Sequence, residues 1–251
     1  MDNAVIVGNG MVGKATAHAF GIKEYYDIKE STVGLRDLAN YRYIFICLPT
    51  PTVNGKCFTK DIVDVIKEVR KQQKNNIFIL RSTVAPGTTL KIIKETKASV
   101  VHVPEFLTES TWKRDSEWPD LVVIGSEQQW QKEEVFGVYR ARYKGANFVL
   151  TDTITSETIK YAINSLYATK VVFANQLFDY CSEHDINYEA VKKAMYHRKW
   201  IGKNHLRVFD DDGKRGAGGK CLSKDLEAFA NHTDSELLKF VDKLNKEYLN
   251  A

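Results

Sequence analysis

Ala4-Val5-Ile6-Val7-Gly8-Asn9-Gly10-Met11-Val12-Gly13 is the stretch that decides the fold. Four consecutive apolar residues run into a G-x-G-x-x-G turn, and Lys14 to Phe20 behind it has helical composition. The order is strand, glycine turn, helix. Glycines also serve plain turns, so the motif counts only in this context. In it, Gly8 permits the tight turn, Gly10 lets the backbone come close to a pyrophosphate, and Gly13 allows the helix to pack on the strand. Met11 and Val12 open the helix, whose N-terminus favours an anion.

Asp27 stands 19 residues after Gly8, where a carboxylate accepts hydrogen bonds from an adenosine ribose. It also repels a 2′-phosphate, so the expected cofactor is NAD rather than NADP. Tyr25-Tyr26-Asp27-Ile28 is a poor second strand by composition.

Further apolar runs follow at Tyr43 to Leu48, Ile77 to Leu80, Val100 to Val103, Leu121 to Ile124 and Phe148 to Leu150, with helical stretches such as Asp61 to Lys74 between them. Short continuous apolar strands alternating with helices are what a parallel sheet covered on both faces requires. Residues 1–150 therefore read as an α/β, doubly wound Rossmann domain. From Thr155 the pattern changes. A long helix over Ser156 to Glu183 is followed by helices at Tyr188 to Tyr196, from about Cys221, and at Ser235 to Leu249, so residues 151–251 read as an all-helical domain.

Hydrophobic residues make up 43% of the chain and charged ones 27%, which points away from disorder. A net charge of +4 with dispersed Lys and Arg gives no footprint for nucleic acid. No apolar run nears the roughly 20 residues of a bilayer span, and the N-terminus enters a buried strand directly, so no membrane partner is expected and the expected location is cytoplasmic. Cys47, Cys57, Cys181 and Cys221 lack the paired spacing of a zinc site or disulfide framework. No metal is expected.

Polar residues concentrate in four segments. Cys47-Leu48-Pro49-Thr50-Pro51-Thr52 and Arg81-Ser82-Thr83-Val84-Ala85-Pro86-Gly87-Thr88-Thr89 each close a strand, at the end where doubly wound sheets bind ligands. Pro104-Glu105-Phe106-Leu107-Thr108-Glu109 follows a third strand, and in a helix its two carboxylates share one face. Gly216-Ala217-Gly218-Gly219-Lys220-Cys221-Leu222-Ser223-Lys224-Asp225 brings backbone close to a ligand and sets Cys221 at a helix start, where a thiolate is stabilised. Lys224 and Asp225 follow one turn on, facing the sulfur. On the long helix Lys160 and Asn164 stack four apart. Taken alone, Lys160 pairs more readily with Glu157 at the surface, and the other three cysteines read as packing residues.

These segments, in this order and over nearly the whole chain, resemble the UDP-glucose and GDP-mannose dehydrogenase family. The resemblance implies oxidation of a nucleotide-sugar 6-alcohol to the carboxylate with two NAD and one water, through a cysteine thiohemiacetal and thioester. It makes Cys221 the nucleophile and Lys160 and Asn164 the pair that stabilises oxyanion charge. Asp225, Thr83 and Glu105 position water and move protons, with Glu105 as base for thioester hydrolysis. It assigns cofactor contacts to Gly8, Gly10, Met11, Val12, Gly13, Asp27, Pro49, Thr50, Thr83 and Glu109. Substrate contacts fall to Glu105, Phe106, Leu107, Lys160, Asn164, Gly218 and Lys224, and a homodimer through the helix at 156–183 is implied.

The chain departs from the family pattern in places. The family carries a third, Rossmann-like unit that holds the nucleotide diphosphate, and this chain ends before it. Trp200 replaces an arginine that reaches a partner subunit's substrate, with Arg198 nearby to compensate, and residues 203–215 include an insertion rich in Asp and Lys. Ser110 and Ser223 replace a Gly and a Pro. Two other functions stay open on the sequence: a catalytically silent NAD-binding partner subunit, and a two-electron alcohol dehydrogenase of the same superfamily that needs no cysteine.

Overall fold

The computed structural model describes the chain apart from Asp2, Asn54, Gly55, Lys220 and Ala251, and apart from the side chains of Thr52, Val53 and Lys56. Lys220 of the glycine-rich segment and the Thr52 side chain thus lie outside the described residues. The chain divides into two compact units, Met1–Lys160 and Tyr161–Ala251.

In the first unit, β1 (Ala4–Val7), β2 (Tyr25–Tyr26), β3 (Tyr43–Ile46), β6 (Ile77–Leu80), β7 (Ser99–His102), β8 (Leu121–Gly125) and β9 (Asn147–Thr151) form one sheet in the order β2-β1-β3-β6-β7-β8-β9. A short hairpin of β4 (Thr52–Val53) and β5 (Lys56–Cys57) stands apart. The α-helices α1 (Met11–Phe20), α2 (Lys60–Arg70), α3 (Thr88–Thr96), α4 (Trp112–Glu117) and α5 (Gln129–Arg142) accompany the sheet.

The apolar runs are continuous because both sheet faces are buried. Ile6, Phe45, Ile77, Ile79 and Val101 pack into one core, while their neighbours Val5, Val7, Ile44, Ile46, Phe78, Leu80 and Val100 pack into another. Two details differ from the sequence reading. The sheet is not wholly parallel, since β8 pairs with β7 antiparallel, His102 against Gly125, and β9 then follows β8 in parallel. The weak run at Tyr25 does form a strand, of two residues, at the sheet edge beside Ile6 and Val7.

The chain leaves β1 for β2 on one side and returns to β3 on the other. That reversal opens a crevice at the carboxyl ends of β1 and β3, the place where such sheets take ligands.

The last element of the first unit is the start of α6 (Thr153–Glu183), which continues into the second unit. There it is joined by α7 (Tyr188–Tyr196), α8 (Leu222–Thr233) and α9 (Glu236–Leu249). Ala168, Val171 and Val172 of α6 pack with Ala217, Leu226 and Val241, and Ala174 and Cys181 pack with Tyr188, Leu206 and Val208. All the regular elements described in this unit are helices. No helix among the described residues is long and apolar enough to cross a membrane.

Candidate functional site

At the crevice, Gly8 has φ +94, and a Cβ there would meet the Cys47 carbonyl oxygen at 2.7 Å. A Cβ on Gly13 would lie 1.9 Å from the Gly8 carbonyl oxygen. These two glycines are required by the packing of the chain itself. Gly10 is different: a Cβ there meets nothing within 4 Å, so its backbone is open at the N-terminus of α1. The Asn9 N–H donates to the Asp27 carboxylate at 2.8 Å, which fixes Asp27 beside the turn. That bond and one from the Lys29 N–H hold the Asp27 carboxyl below the usual range. Open backbone at a helix start, with an ionised carboxylate beside it, fits the pyrophosphate and ribose of a dinucleotide. Among the described residues there is no cluster of three or more potential metal ligands.

The strand-end loops are tied together. Thr50, buried, donates its hydroxyl to the Thr83 carbonyl at 2.6 Å, and Ser82 Oγ donates to the Leu48 carbonyl at 2.7 Å. Pro49 is exposed. Cys47 is enclosed, and burial pushes its thiol up to about 11, so it packs rather than reacts. Cys57 is partly buried against the second core cluster and Cys181 is buried in the second unit. None of the four cysteines is in a disulfide.

The segment 103–108 is a loop, not a helix, and this corrects the expectation that Glu105 and Glu109 share a face. Glu105 is buried and Glu109 exposed. The Glu105 carbonyl, which a helix would bond to the Glu109 N–H, is taken by Lys160 instead. Lys160 Nζ donates to the Glu105 carbonyl at 2.7 Å and to its carboxylate at 3.1 Å, and the Leu107 N–H donates to the carboxylate at 2.7 Å. Lys160 also lies 5.3 Å from the centre of the Phe106 ring. Burial opposes the charge on Glu105, but Lys160 and the Leu107 N–H hold its carboxyl below the ordinary value. Such a carboxylate orients a water better than it removes a proton from one.

Lys160 therefore does not pair with Glu157. Glu157 is fully buried and accepts from the Gly87 N–H at 2.5 Å, the Thr89 N–H at 2.7 Å and the Thr89 hydroxyl at 2.6 Å. Burial, working against those donors, pushes its carboxyl up to about 7. His102, at the end of β7, is also fully buried, with Nδ1 2.8 Å from Ser156 Oγ and with Nε2 unpartnered. Burial and the nearby Lys160 charge lower it to about 3, so it is neutral. Arg81 donates to the Tyr139 hydroxyl at 3.1 Å. Sequence reasoning gave Glu157 only a surface pairing and assigned no role to His102 or Arg81, because spacing along the chain carries no sign that these polar groups are enclosed.

In the second unit Cys221 is exposed and is the N-cap residue of α8. One turn on, the Asp225 N–H donates to the Cys221 carbonyl at 2.9 Å. The Asp225 side chain, 1% exposed, accepts from Asn164 Nδ2 at 2.6 Å and has Lys224 Nζ 2.9 Å from its other oxygen. So Asn164 and Asp225 meet directly, which the sequence did not indicate. The glycine-rich loop before the thiol is held by Asn245, buried on α9, whose side chain accepts from the Ala217 N–H at 2.6 Å and donates to the Ala217 carbonyl at 3.2 Å. Gly218 is half-buried in that loop. Arg215, just before it, bonds Asn175 and Asp179 of α6. Trp200 is 97% exposed.

Comparisons with known proteins point to one family. Residues 27–142 match the NAD binding domain of the UDP-glucose/GDP-mannose dehydrogenase family, and residues 154–247 match the central domain of the same family. A UDP-glucose 6-dehydrogenase of Rickettsia felis is 34% identical over 88% of this chain and 51% of its own length. One from Bacillus subtilis is 31% identical over 84% of this chain and 50% of its own. The chain spans about half the length of the curated relatives it matches. Among solved structures, a UDP-glucose dehydrogenase from Pyrobaculum islandicum superposes with a TM-score of 0.80 at 22% identity, over 97% of this chain and 68% of that one, a likeness of fold.

Proposed function

Because the chain belongs to the UDP-glucose/GDP-mannose dehydrogenase family, we propose that it oxidises the 6-alcohol of a UDP-glucose-like nucleotide sugar to the carboxylate, with Cys221 as covalent nucleophile. One observation carries the reading. The exposed cysteine among the four caps a 12-residue helix, with a buried carboxylate one turn behind it, while the other three thiols are buried or partly buried.

In this mechanism the residues divide the work. NAD, when bound, accepts the hydride of each of the two oxidations. The open Gly10 backbone and the α1 N-terminus would hold the pyrophosphate, with Gly8 and Gly13 permitting the turn, Asp27 would hold the ribose, and Pro49, Thr50, Thr83 and Glu109 would contact the rest of the cofactor. The Cys221 sulfur adds to the intermediate aldehyde, and its thiol proton passes to solvent through Asp225. The hemithioacetal carbon gives up the second hydride and becomes a thioester, which retains the aldehyde carbon on the chain between the two oxidations. Water then attacks the thioester carbon and the C–S bond breaks; one water proton restores the thiol, the other leaves to solvent, and the carboxylate forms. Lys160, a preorganised cation, and Asn164, whose amide Asp225 orients, stabilise negative charge on the substrate oxygen. Glu105, kept ionised by Lys160, orients the water. Sugar contacts are assigned, by the family resemblance, to Phe106 and Leu107 of the first unit and to Gly218 and Lys224 of the second.

A homodimer through α6 accords with a seven-residue spacing of exposed apolar side chains, Leu166, Phe173 and Tyr180, which repeats on one helix face. Four cysteines outside any disulfide accord with a cytoplasmic chain.

The test is NADH release from a panel of UDP- and GDP-sugars. Turnover with one of them supports the reading. NAD binding without turnover on any sugar would replace it with a binding subunit.

A further inference from the structure

The first two turns of α6 grip two strand-end loops. Lys160 holds the loop after β7 through Glu105, by its carbonyl and its carboxylate. Glu157, one turn earlier on the same helix, holds the segment after β6 at its far end, with one carboxylate oxygen on the Gly87 N–H and the other on both the N–H and the hydroxyl of Thr89. The near end of that segment is fixed by the sheet, where the Arg81 N–H bonds the Ile46 carbonyl. Thr83 lies between these two anchors, its carbonyl accepting from Thr50. The three donors sit at the N-terminal end of α3, where an anion is also favoured by the helix.

We infer that Glu157 is a positioning residue: through Gly87 and Thr89 it sets the Thr83 segment in register with Lys160, and so shapes the wall against which the dinucleotide lies. The inference rests on the cofactor reading above. Glu157 does not touch the reacting atoms. Its fully buried position and three short bonds give it no role in solvent, and its spacing from Lys160 makes one helix the common reference for both loops.

The experiment measures NAD affinity by titration of the full chain, alongside amide hydrogen exchange at Gly87 and Thr89. Glu157→Leu removes all three bonds, so both amides exchange faster and the NAD Kd rises by about tenfold or more. Glu157→Gln retains an oxygen for Thr89 and turns an amide N–H toward Gly87, so Gly87 alone is released and the Kd rises by only about two- to fivefold. If either variant releases its amides while the NAD Kd stays at the wild-type value, Glu157 is a helix cap and nothing more, and the inference is wrong. If wild type binds no NAD at all, the cofactor reading fails and takes the inference with it, an outcome told apart by the wild-type titration alone.

Discussion

Lys160 and Glu105 form an ion pair almost wholly withdrawn from water, at 3.1 Å, and the same ammonium also holds the Glu105 main-chain carbonyl at 2.7 Å. Removing one partner of such a pair strands the other charge. Lys160→Met should lower unfolding stability by ~3–5 kcal/mol, and the double variant with Glu105→Gln should recover most of that. Urea titration of the single and double variants checks this. A single-variant loss below ~1 kcal/mol would show that the pair is solvated.

The glycine turn separates folding from binding. Gly13→Ala drives a Cβ into the Gly8 carbonyl and should abolish the folded first unit or lower its melting temperature steeply. Gly10→Ala meets open space, so stability should change by no more than about 1 kcal/mol while NAD affinity falls. Circular dichroism melts paired with NAD titration read both. Equal damage to stability from the two substitutions contradicts the assignment of Gly10 to the cofactor.

How much of this was legible in the sequence depends on what each residue faces. Ala4–Val7 and Ile77–Leu80 could be read to the residue, because burial of both faces leaves an unbroken apolar run. The reversal of β8 could not, since strand direction leaves no mark on such a run. Tyr25–Tyr26, half-buried at the sheet edge, lacks the run altogether. Cys221 and its glycines were visible as a motif. Lys160 was visible only as half of a spacing, and its partner was decided by the burial of the first turns of α6, which drew it to Glu105 and left Glu157 to α3.

His102 sets an acid limit. Its folded-state value of about 3 lies below the ordinary 6.5, through burial first and the Lys160 charge second. A base with a depressed folded value contributes stability that is present above 6.5 and is lost as pH falls toward 3, at up to ~1.4 kcal/mol per pH unit. Glu157, raised to about 7 from 4.5, runs the other way over part of that range, so the comparison must be with a variant. Stability of wild type minus that of His102→Gln, followed by urea unfolding from pH 7 to 4, should decline. A flat difference means that His102 is solvated.

Asn245 holds the loop before Cys221 by both polar groups of Ala217. Asn245→Ala leaves a buried N–H and carbonyl without that partner, and should cost ~1–3 kcal/mol. Hydrogen exchange at the Ala217 amide should accelerate in the variant. Unchanged protection would place the restraint on this loop elsewhere, with Arg215.

The central claim is that one thiol captures the aldehyde made by the first oxidation and holds it through the second. The most direct measurement is the number of NADH formed per nucleotide sugar consumed, for wild type and for Cys221→Ser. Two NADH per sugar in wild type, with the completed four-electron reaction lost in the serine variant, is the predicted result. One NADH per sugar in wild type, or a serine variant that finishes both oxidations at the wild-type rate, would contradict it.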